Sequence, residues 1–207
     1  MPLVYQQNIN DTSKIALWHI TEGEDFFLKQ VPLKREIKHW HKRLQHLAGR
    51  LLLKEMYPDF PLRMIKIADT KKPFLEEDPF HFSISHCGDY AAAVASKLNR
   101  VGVDVELLNE KIERVQYKFT DDNELKVFEI QNSKFKIQNL TLCWSVKESV
   151  FKWWGSGKVD FKKDIIIKSI QGNPQQGIVQ CQFKAKFNLD VHYLFFNNNY
   201  LTWVLTN

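Results

Sequence analysis

Two carboxylates stand two positions apart in the segment GVDVE, residues 102–106. Its side chains alternate between apolar and polar, as in a strand, so Asp104 and Glu106 are expected to project from the same face. Neighbouring carboxylates repel one another, and a hard divalent cation bound by oxygen relieves that repulsion. The segment therefore predicts a metal site, although in isolation such a segment is more often an acidic strand end in solvent.

A second group of reactive side chains lies in the segment WSVKESVFK, residues 144–152. If the segment is helical, Glu148 shares one face with Trp144 and with Lys152, each four positions away. The ordinary interpretation of Glu148 and Lys152 is an exposed ion pair. The neighbouring Trp144 and Phe151 instead indicate a half-buried face, where a carboxylate needs a partner.

Two further segments could supply cationic or polar donors. Ser85 and His86 precede a turn at Gly88, where the imidazole could donate to a phosphate or simply serve the turn. Lys72 and Pro73 belong to a basic turn whose lysines are by default solvated. The formal charge of +5, from 29 basic and 24 acidic residues, weakly favours an anionic partner.

The elements that must hold these residues can be predicted from hydrophobic periodicity. A period of two predicts strands over residues 80–85 and 100–107, and the last fifty residues are also strand-like. The predicted helices run from Pro32 to about Tyr57, from the capping box at Asp121 to about Ile130, and from Asn139 to Trp154 before Gly155. Hairpin-like turns outnumber crossovers, so the predicted class is α+β with mostly antiparallel sheets.

The cysteines, the first residues and the length of the apolar runs predict where in the cell the protein is located. Cys87, Cys143 and Cys181 are far apart and show no CxxC spacing, so we expect reduced thiols. The first residues carry no signal-peptide pattern, and no apolar run approaches the roughly 20 residues that span a bilayer. These features predict a cytoplasmic location without a membrane partner.

Taken together and in this order, the segments resemble the 4′-phosphopantetheinyl transferase superfamily, in particular its larger tandem, surfactin-synthetase-activating type. Residues 102–106 match the pattern G-[IV]-D-[IV]-E in full, and residues 144–152 match W-[ST]-x-K-E-[SA]-x-x-K in full. Residues 84–87 resemble an Ile-Ser-His-Ser segment, with Cys87 in place of the last serine. Lys72 and Pro73 resemble the end of a Gly-Lys-Pro segment, with Lys71 in place of glycine. The helix around Leu47–Leu53 resembles the first long helix of the family.

The resemblance implies an activity and a set of roles. Phosphopantetheine would move from coenzyme A to a serine of an apo acyl or peptidyl carrier protein, releasing 3′,5′-ADP. Mg²⁺, or Mn²⁺ in its place, would be held by Asp104, Glu106 and Glu148. Glu148 would also activate the serine, and Lys152 would stabilise or protonate the departing phosphate. The coenzyme would be bound by Lys72, Pro73, Ser85, His86 and either Arg43 or its neighbour Lys42, of which Arg43 is the primary candidate.

The tandem type also implies an architecture. It consists of two similar lobes, each with a small sheet and a long helix, related by a pseudo-twofold axis in a monomer, with the site between them. On this sequence the lobes would be residues 1–98 and 99–207, the second carrying the metal motifs.

Two other functions fit parts of the sequence. An Asp and a Glu on one strand with a nearby Lys also occur in metal-dependent nucleases, although no Glu-x-Lys follows Asp104 closely. The basic helix at residues 34–54 could bind nucleic acid without catalysis, which would not require Asp104. Neither alternative explains residues 144–152, so we expect no nucleic-acid partner.

Overall fold

The computed structural model describes residues 2–34, 36–77, 79–128 and 135–206. The chain divides into two compact units, the first ending at Val101 and the second comprising Gly102–Thr206. Each unit combines one larger sheet with one long helix. The predicted α+β class with mostly antiparallel sheets is therefore confirmed, while the pseudo-twofold monomer and the lobe limits of 1–98 and 99–207 stay predictions.

The first unit is built on a four-stranded antiparallel sheet of order β1-β2-β6-β5. Two short strands, β3 and β4, form a separate antiparallel ribbon, and a 3₁₀ turn at Leu62–Met64 precedes it. The elements are β1 (Leu3–Asn10), β2 (Ser13–His19), α1 (Glu24–Leu28), α2 (Trp40–Met56), β3 (Lys66–Ile67), β4 (Pro73–Phe74), β5 (His81–Cys87) and β6 (Tyr90–Ser96).

Helix α2 covers this sheet with an apolar stripe that includes Leu44, Leu47 and Leu51, all buried. The helix begins at Trp40, so the predicted start at Pro32 is wrong. Val31 is buried and Leu33 packs against the same core. This two-residue spacing is that of extended chain, and the segment follows the core without forming a helix.

The second unit contains a five-stranded sheet of order β7-β11-β10-β9-β8, in which β8 to β11 pair antiparallel in sequence. Helix α4 packs on β10 and β11. The elements are β7 (Arg100–Leu107), α3 (Asp122–Val127), α4 (Lys136–Trp154), β8 (Ile165–Gly172), β9 (Gln176–Phe183), β10 (Phe187–Phe196) and β11 (Asn199–Thr206), with 3₁₀ turns at Glu110–Arg114 and Gln116–Lys118.

Local signals at the ends of the helices in this unit are confirmed. Asp121 caps α3 in a capping box with Glu124, and Gly155 ends α4 in the left-handed conformation at φ +70°. The described helix α3 is Asp122–Val127, and its predicted end near Ile130 lies outside the described residues. The polar loop predicted at residues 131–138 lies partly outside the described residues, and its last part belongs to α4.

Two general observations complete the fold. Cys87, Cys143 and Cys181 form no disulfide with one another, and Cys143 and Cys181 are buried. Within the part of the chain that the structure describes, no helix is both long enough and apolar enough to cross a bilayer.

Candidate active site

The strand β7 and the helix α4 approach each other closely at Gly102. A methyl group at this position would lie 2.1 Å from the carbonyl oxygen of Ser149 and 2.6 Å from the amide nitrogen of Trp153. Only glycine avoids this overlap with the helix backbone. Because side chains two apart share a face, Asp104 and Glu106 point toward the same helix.

Asp104 lies at the centre of this contact and is only 2% exposed. Its Oδ1 accepts a hydrogen bond from the Lys152 ammonium at 2.6 Å, and its Oδ2 accepts one from the Ser145 hydroxyl at 2.9 Å. A buried carboxylate must be paired and hydrogen-bonded to remain charged at modest cost. Two side chains of α4 meet that requirement.

Glu106 lies two residues further along β7 and is partly exposed. Its Oε1 accepts a hydrogen bond from the Trp144 indole nitrogen at 3.2 Å. Trp144 and Lys152 are two turns apart on α4, so the helix contacts both carboxylates of the strand. Asp104 and Glu106 therefore lie on one face of β7, as their spacing predicts.

Glu148 completes the acidic group from the helix side. Its pKa is raised from the ordinary 4.5 to about 7, first by burial and then by repulsion from Asp104 and Glu106, while Lys152 partly offsets the shift. The predicted Glu148, Lys152, Asp104 and Glu106 are thus brought together within one unit. The raised pKa of a carboxyl among other carboxylates is the pattern of a functional acid or base.

The chemistry of these donors fits a hard divalent cation, because three carboxylates supply oxygen ligands and their mutual repulsion would be relieved by positive charge. Across the described residues, no group of three His, Cys, Asp or Glu side chains already has the mutual arrangement of a metal site. The Lys152 ammonium holds Asp104 in the arrangement observed.

A buried ion pair ties α4 to α3 at Lys147, the residue before Glu148. The Lys147 ammonium bonds Glu124 at 2.7 and 2.8 Å and the carbonyl oxygen of Phe161 at 2.8 Å, and both charged side chains are fully buried. Glu124 also accepts the backbone N–H of Ile167 at 2.9 Å. Sequence reasoning missed this pair, although Lys147 lies in the second signature and Glu124 in the capping box.

A chain of buried hydroxyls supports Asp104 from the other side. Ser145, which bonds Asp104, lies 2.9 Å from the Thr202 hydroxyl, and Ser149 lies 2.6 Å from the same hydroxyl. Thr202 donates to the carbonyl oxygen of Ser145 at 2.9 Å. The strand β11 thereby fixes the rotamer of the serine that holds Asp104.

In the first unit, the predicted Ser85 and His86 are adjacent on β5 and therefore point to opposite faces of the sheet. Ser85 is buried, whereas His86 is exposed. The turn after His86 is tied to α2, because Gln45 donates to the carbonyl oxygen of Gly88 at 2.7 Å and His41 lies 2.9 Å from Asp89. The exposed His86 imidazole therefore precedes a turn that two contacts hold against α2.

Lys72 and Pro73 lie at the turn of the β3–β4 ribbon, where Lys72 O accepts the N–H of Ala68 at 2.9 Å. Lys71 adopts a left-handed φ of +66°. Left-handed backbone favours glycine, which accounts for the glycine expected at this position by resemblance. In this chain a lysine tolerates that conformation.

Arg43 is engaged in the fold of the first unit. Its guanidinium bonds Glu24 at 2.6 Å and the carbonyl oxygen of Ile37 at 3.1 Å, whereas Lys42 is exposed. These contacts favour Lys42 over Arg43 as a ligand for an external phosphate.

A cavity of about 220 Å³ opens beside α2, with Lys34, His46 and Arg50 around apolar walls. His46 and Arg50 are bonded to each other at 3.0 Å, and Lys34 donates to the carbonyl oxygen of Arg63. The sequence predicted a basic helix over residues 34–54 but no cavity beside it. Its polar walls carry cationic donors suited to an anion.

The sequence model of the 4′-phosphopantetheinyl transferase superfamily matches residues 100–204. This match covers half of the chain and includes both signature segments, and the chain therefore belongs to this superfamily.

Curated relatives share this relationship over part of their length. Enterobactin synthase component D of Salmonella austin is 33% identical over 112 residues, 54% of this chain and 47% of that protein. The L-aminoadipate-semialdehyde dehydrogenase-phosphopantetheinyl transferase of Xenopus laevis is 29% identical over 130 residues, 54% of this chain and 43% of that protein. A 4′-phosphopantetheinyl transferase of Aneurinibacillus migulanus is 29% identical over 86 residues, 42% of this chain and 35% of that protein. The chain thus spans about half the length of the first two of these relatives, or less.

Proposed function

We propose that the protein transfers 4′-phosphopantetheine from coenzyme A to a serine of an apo acyl or peptidyl carrier protein, with Mg²⁺ as the required ion. The observation that carries the proposal is the grouping of Asp104, Glu106, Glu148 and Lys152 where β7 meets α4. Oxygen ligands beside a cationic donor are the parts that phosphoryl-transfer enzymes use.

Asp104, Glu106 and Glu148 would hold the Mg²⁺ ion, with Mn²⁺ as the ion best able to replace it. Bound there, the metal would neutralise charge on the phosphoryl oxygens of the coenzyme's pyrophosphate. Phosphates and waters can complete its coordination, so a few carboxylates suffice.

The reacting groups would be the carrier serine and the pyrophosphate. The serine oxygen forms a bond to the phosphorus that carries pantetheine, and the bond from that phosphorus to the 3′,5′-ADP oxygen breaks. Glu148 accepts the serine proton, directly or through water. Lys152 stabilises the charge that develops on the departing phosphate, or protonates it.

The first unit would supply the cations for the rest of the coenzyme. His86 is the strongest candidate, because it is exposed on a supported strand, and Lys72 and Pro73 follow at the ribbon turn. Ser85 and Arg43 remain candidates with less access, and Lys42 is the exposed alternative to Arg43. The cavity residues Lys34 and Arg50 extend this set of cations, and His46 lies beside them.

Further properties belong to the same proposal. The net charge of +5 suits an acidic carrier protein. We propose that the enzyme acts as a cytoplasmic monomer of the tandem type, with the carrier protein and coenzyme A as its partners.

The test is incubation with an apo carrier protein, coenzyme A and Mg²⁺, followed by mass spectrometry of the carrier. One phosphopantetheine should appear on one serine. Asp104→Asn and Glu148→Gln should each lower the rate by at least about a hundredfold, because each removes a group that acts on the reacting atoms. Full activity in either variant contradicts the site.

A matched control is Glu110→Gln, a substitution of an exposed glutamate in the same unit, which should retain the wild-type rate. Incubation with DNA and Mg²⁺ tests the nuclease alternative directly. Cleavage that is lost in Asp104→Asn, without any modification of the carrier, would replace the proposed function with that one.

A further inference from the structure

Trp144 contacts two aromatic rings. Its ring stacks on Phe161, with centroids 5.3 Å apart and planes at 21°, and meets the edge of Phe119 at 5.1 Å. The indole nitrogen donates to Glu106 at 3.2 Å. The orientation of this donor therefore depends on the rings that pack against the indole.

Phe161 belongs to no helix or strand, since it lies in the turn between α4 and β8. Its carbonyl oxygen accepts a hydrogen bond from the buried Lys147 ammonium, which is paired with Glu124. Glu124 in turn binds the backbone N–H of Ile167 on β8. The turn is thus tied by buried charges to α4, to α3 and to the start of the sheet.

Stability alone does not account for the buried pair of Lys147 and Glu124. Well-packed apolar residues of similar volume often replace a buried ion pair without loss of stability. A buried ammonium with defined acceptors does, however, specify where a loop backbone must lie. Here the loop position determines where the Phe161 ring meets Trp144.

We propose that Phe161 is a positioning residue, which through its stack on Trp144 fixes the indole N–H on the Glu106 carboxylate. Glu106 reaches the site from β7 with a flexible side chain and is partly exposed. A fixed donor restricts the rotamers of that carboxylate and leaves it ready to bind a cation. This consequence for the cation rests on the proposed function, whereas the orientation of the indole does not.

The variant Phe161→Leu removes the ring but keeps the backbone carbonyl that Lys147 binds. Phe187→Leu is the matched control, because Phe187 is also half-buried and meets Trp153 with ring centroids 5.5 Å apart, away from Glu106. Phe161→Met serves as a second variant if the leucine substitution prevents folding, which a thermal melt will show.

The first readout is hydrogen exchange of the Trp144 indole N–H, followed by NMR in metal-free protein and assigned with Trp144→Phe. We expect the exchange rate to rise about tenfold in Phe161→Leu, as for the loss of a hydrogen bond to a charged acceptor, and to stay unchanged in Phe187→Leu. Equal exchange in wild type and Phe161→Leu, or an equal rise in the control, would overturn the proposal.

The second readout is the Mg²⁺ concentration for half-maximal transfer. It should rise about tenfold in Phe161→Leu while the KM for coenzyme A changes less than about twofold, because only the cation ligand is affected. Faster indole exchange with an unchanged Mg²⁺ requirement would overturn the positioning role. If the wild-type protein modifies no carrier at all, the proposed function fails, while the exchange measurement still decides whether Phe161 orients the indole.

Discussion

Each of the two units packs a long helix against a sheet, but the residues at the two contacts differ. In the first unit, Gly49 on α2 allows close approach to the Ile84 side chain of β5, and in the second, Gly102 on β7 allows close approach to the α4 backbone. Among the described residues, every buried charged side chain belongs to the second unit: Asp104, Glu124 and Lys147.

The two units differ in how far their charged side chains are exposed to solvent. Buried charges are costly unless paired, and Asp104, Glu124 and Lys147 all have charged partners at 2.6 to 2.7 Å. The first unit keeps its charged groups at or near the surface, as Lys42 illustrates. Under the proposed function, the surface cations would bind the anionic coenzyme, and the carboxylates of the second unit would hold the metal ion.

The largest effect should come from breaking the buried ion pair. Lys147→Met leaves Glu124 as an uncompensated buried charge, so we expect the free energy of unfolding to fall by about 3–5 kcal/mol. The counterpart in the first unit is Gln45→Met, which removes a neutral donor to the Gly88 carbonyl and should cost about 1–2 kcal/mol. Urea unfolding of both variants measures the two losses, and equal losses would remove the contrast between the units.

Replacing glycine by alanine should likewise cost more stability in the second unit than in the first. Gly102→Ala places a methyl group against helix backbone, which cannot rotate away, and should cost about 2–3 kcal/mol. In Gly49→Ala the new methyl meets the Ile84 Cγ2 atom at 2.5 Å, and this side chain can adjust, so we expect about 1 kcal/mol. Denaturant unfolding distinguishes the two, and a larger loss at Gly49 would contradict the closer fit at Gly102.

The raised pKa of Glu148 predicts a pH effect that belongs to the second unit alone. Below about pH 4.5 the carboxyl is protonated in both the folded and the unfolded state. Between 4.5 and about 7 only the folded state keeps the proton, so the stability of the metal-free protein falls as the pH rises through this window.

The measurement is unfolding of wild type and Glu148→Gln from pH 4.5 to 8. The free energy of unfolding of Glu148→Gln should rise relative to that of the wild type as the pH rises, by on the order of 2 kcal/mol at pH 8. Added Mg²⁺ should reduce this difference. If the difference in free energy of unfolding between the two proteins stays constant with pH, Glu148 ionises as it would in solvent.

The smallest effect concerns the ribbon turn of the first unit. Lys71→Gly relieves a left-handed lysine, and we expect a gain in stability of about 0.5–1 kcal/mol after the entropy cost of glycine. The thermal midpoint gives the sign, with Lys72→Ala as a neighbour whose backbone needs no relief. Destabilisation by Lys71→Gly would indicate that the lysine side chain itself supports the turn.

Short-range signals carried most of what could be predicted from the sequence. The strand 100–107 was placed correctly because its alternation is strict, and the end of α4 because Gly155 takes the left-handed conformation. Periodicity placed Asp104 with Glu106 on one strand face and Glu148 with Lys152 on one helix face, whereas only the resemblance to the family implied that the two segments meet.

Long-range and polar features could not be predicted in this way. Strand β1, with the sequence LVYQQNIN, has no clear apolar alternation and was missed, as was the five-residue α1. The Lys147–Glu124 pair joins two helices, and the Phe161 stack joins a turn to a helix, so neither contact leaves a periodic trace in the sequence. The cavity beside α2 likewise depends on how separate segments pack.

Direct measurement of Mn²⁺ binding by electron paramagnetic resonance tests the central claim, that three carboxylates of the second unit serve one divalent ion. We predict one site in the wild-type protein with 3′,5′-ADP present, competed by Mg²⁺, and lost in both Asp104→Asn and Glu106→Gln but retained in Glu110→Gln. Equal Mn²⁺ binding by the wild type and the first two variants, with all of them folded, would contradict the account.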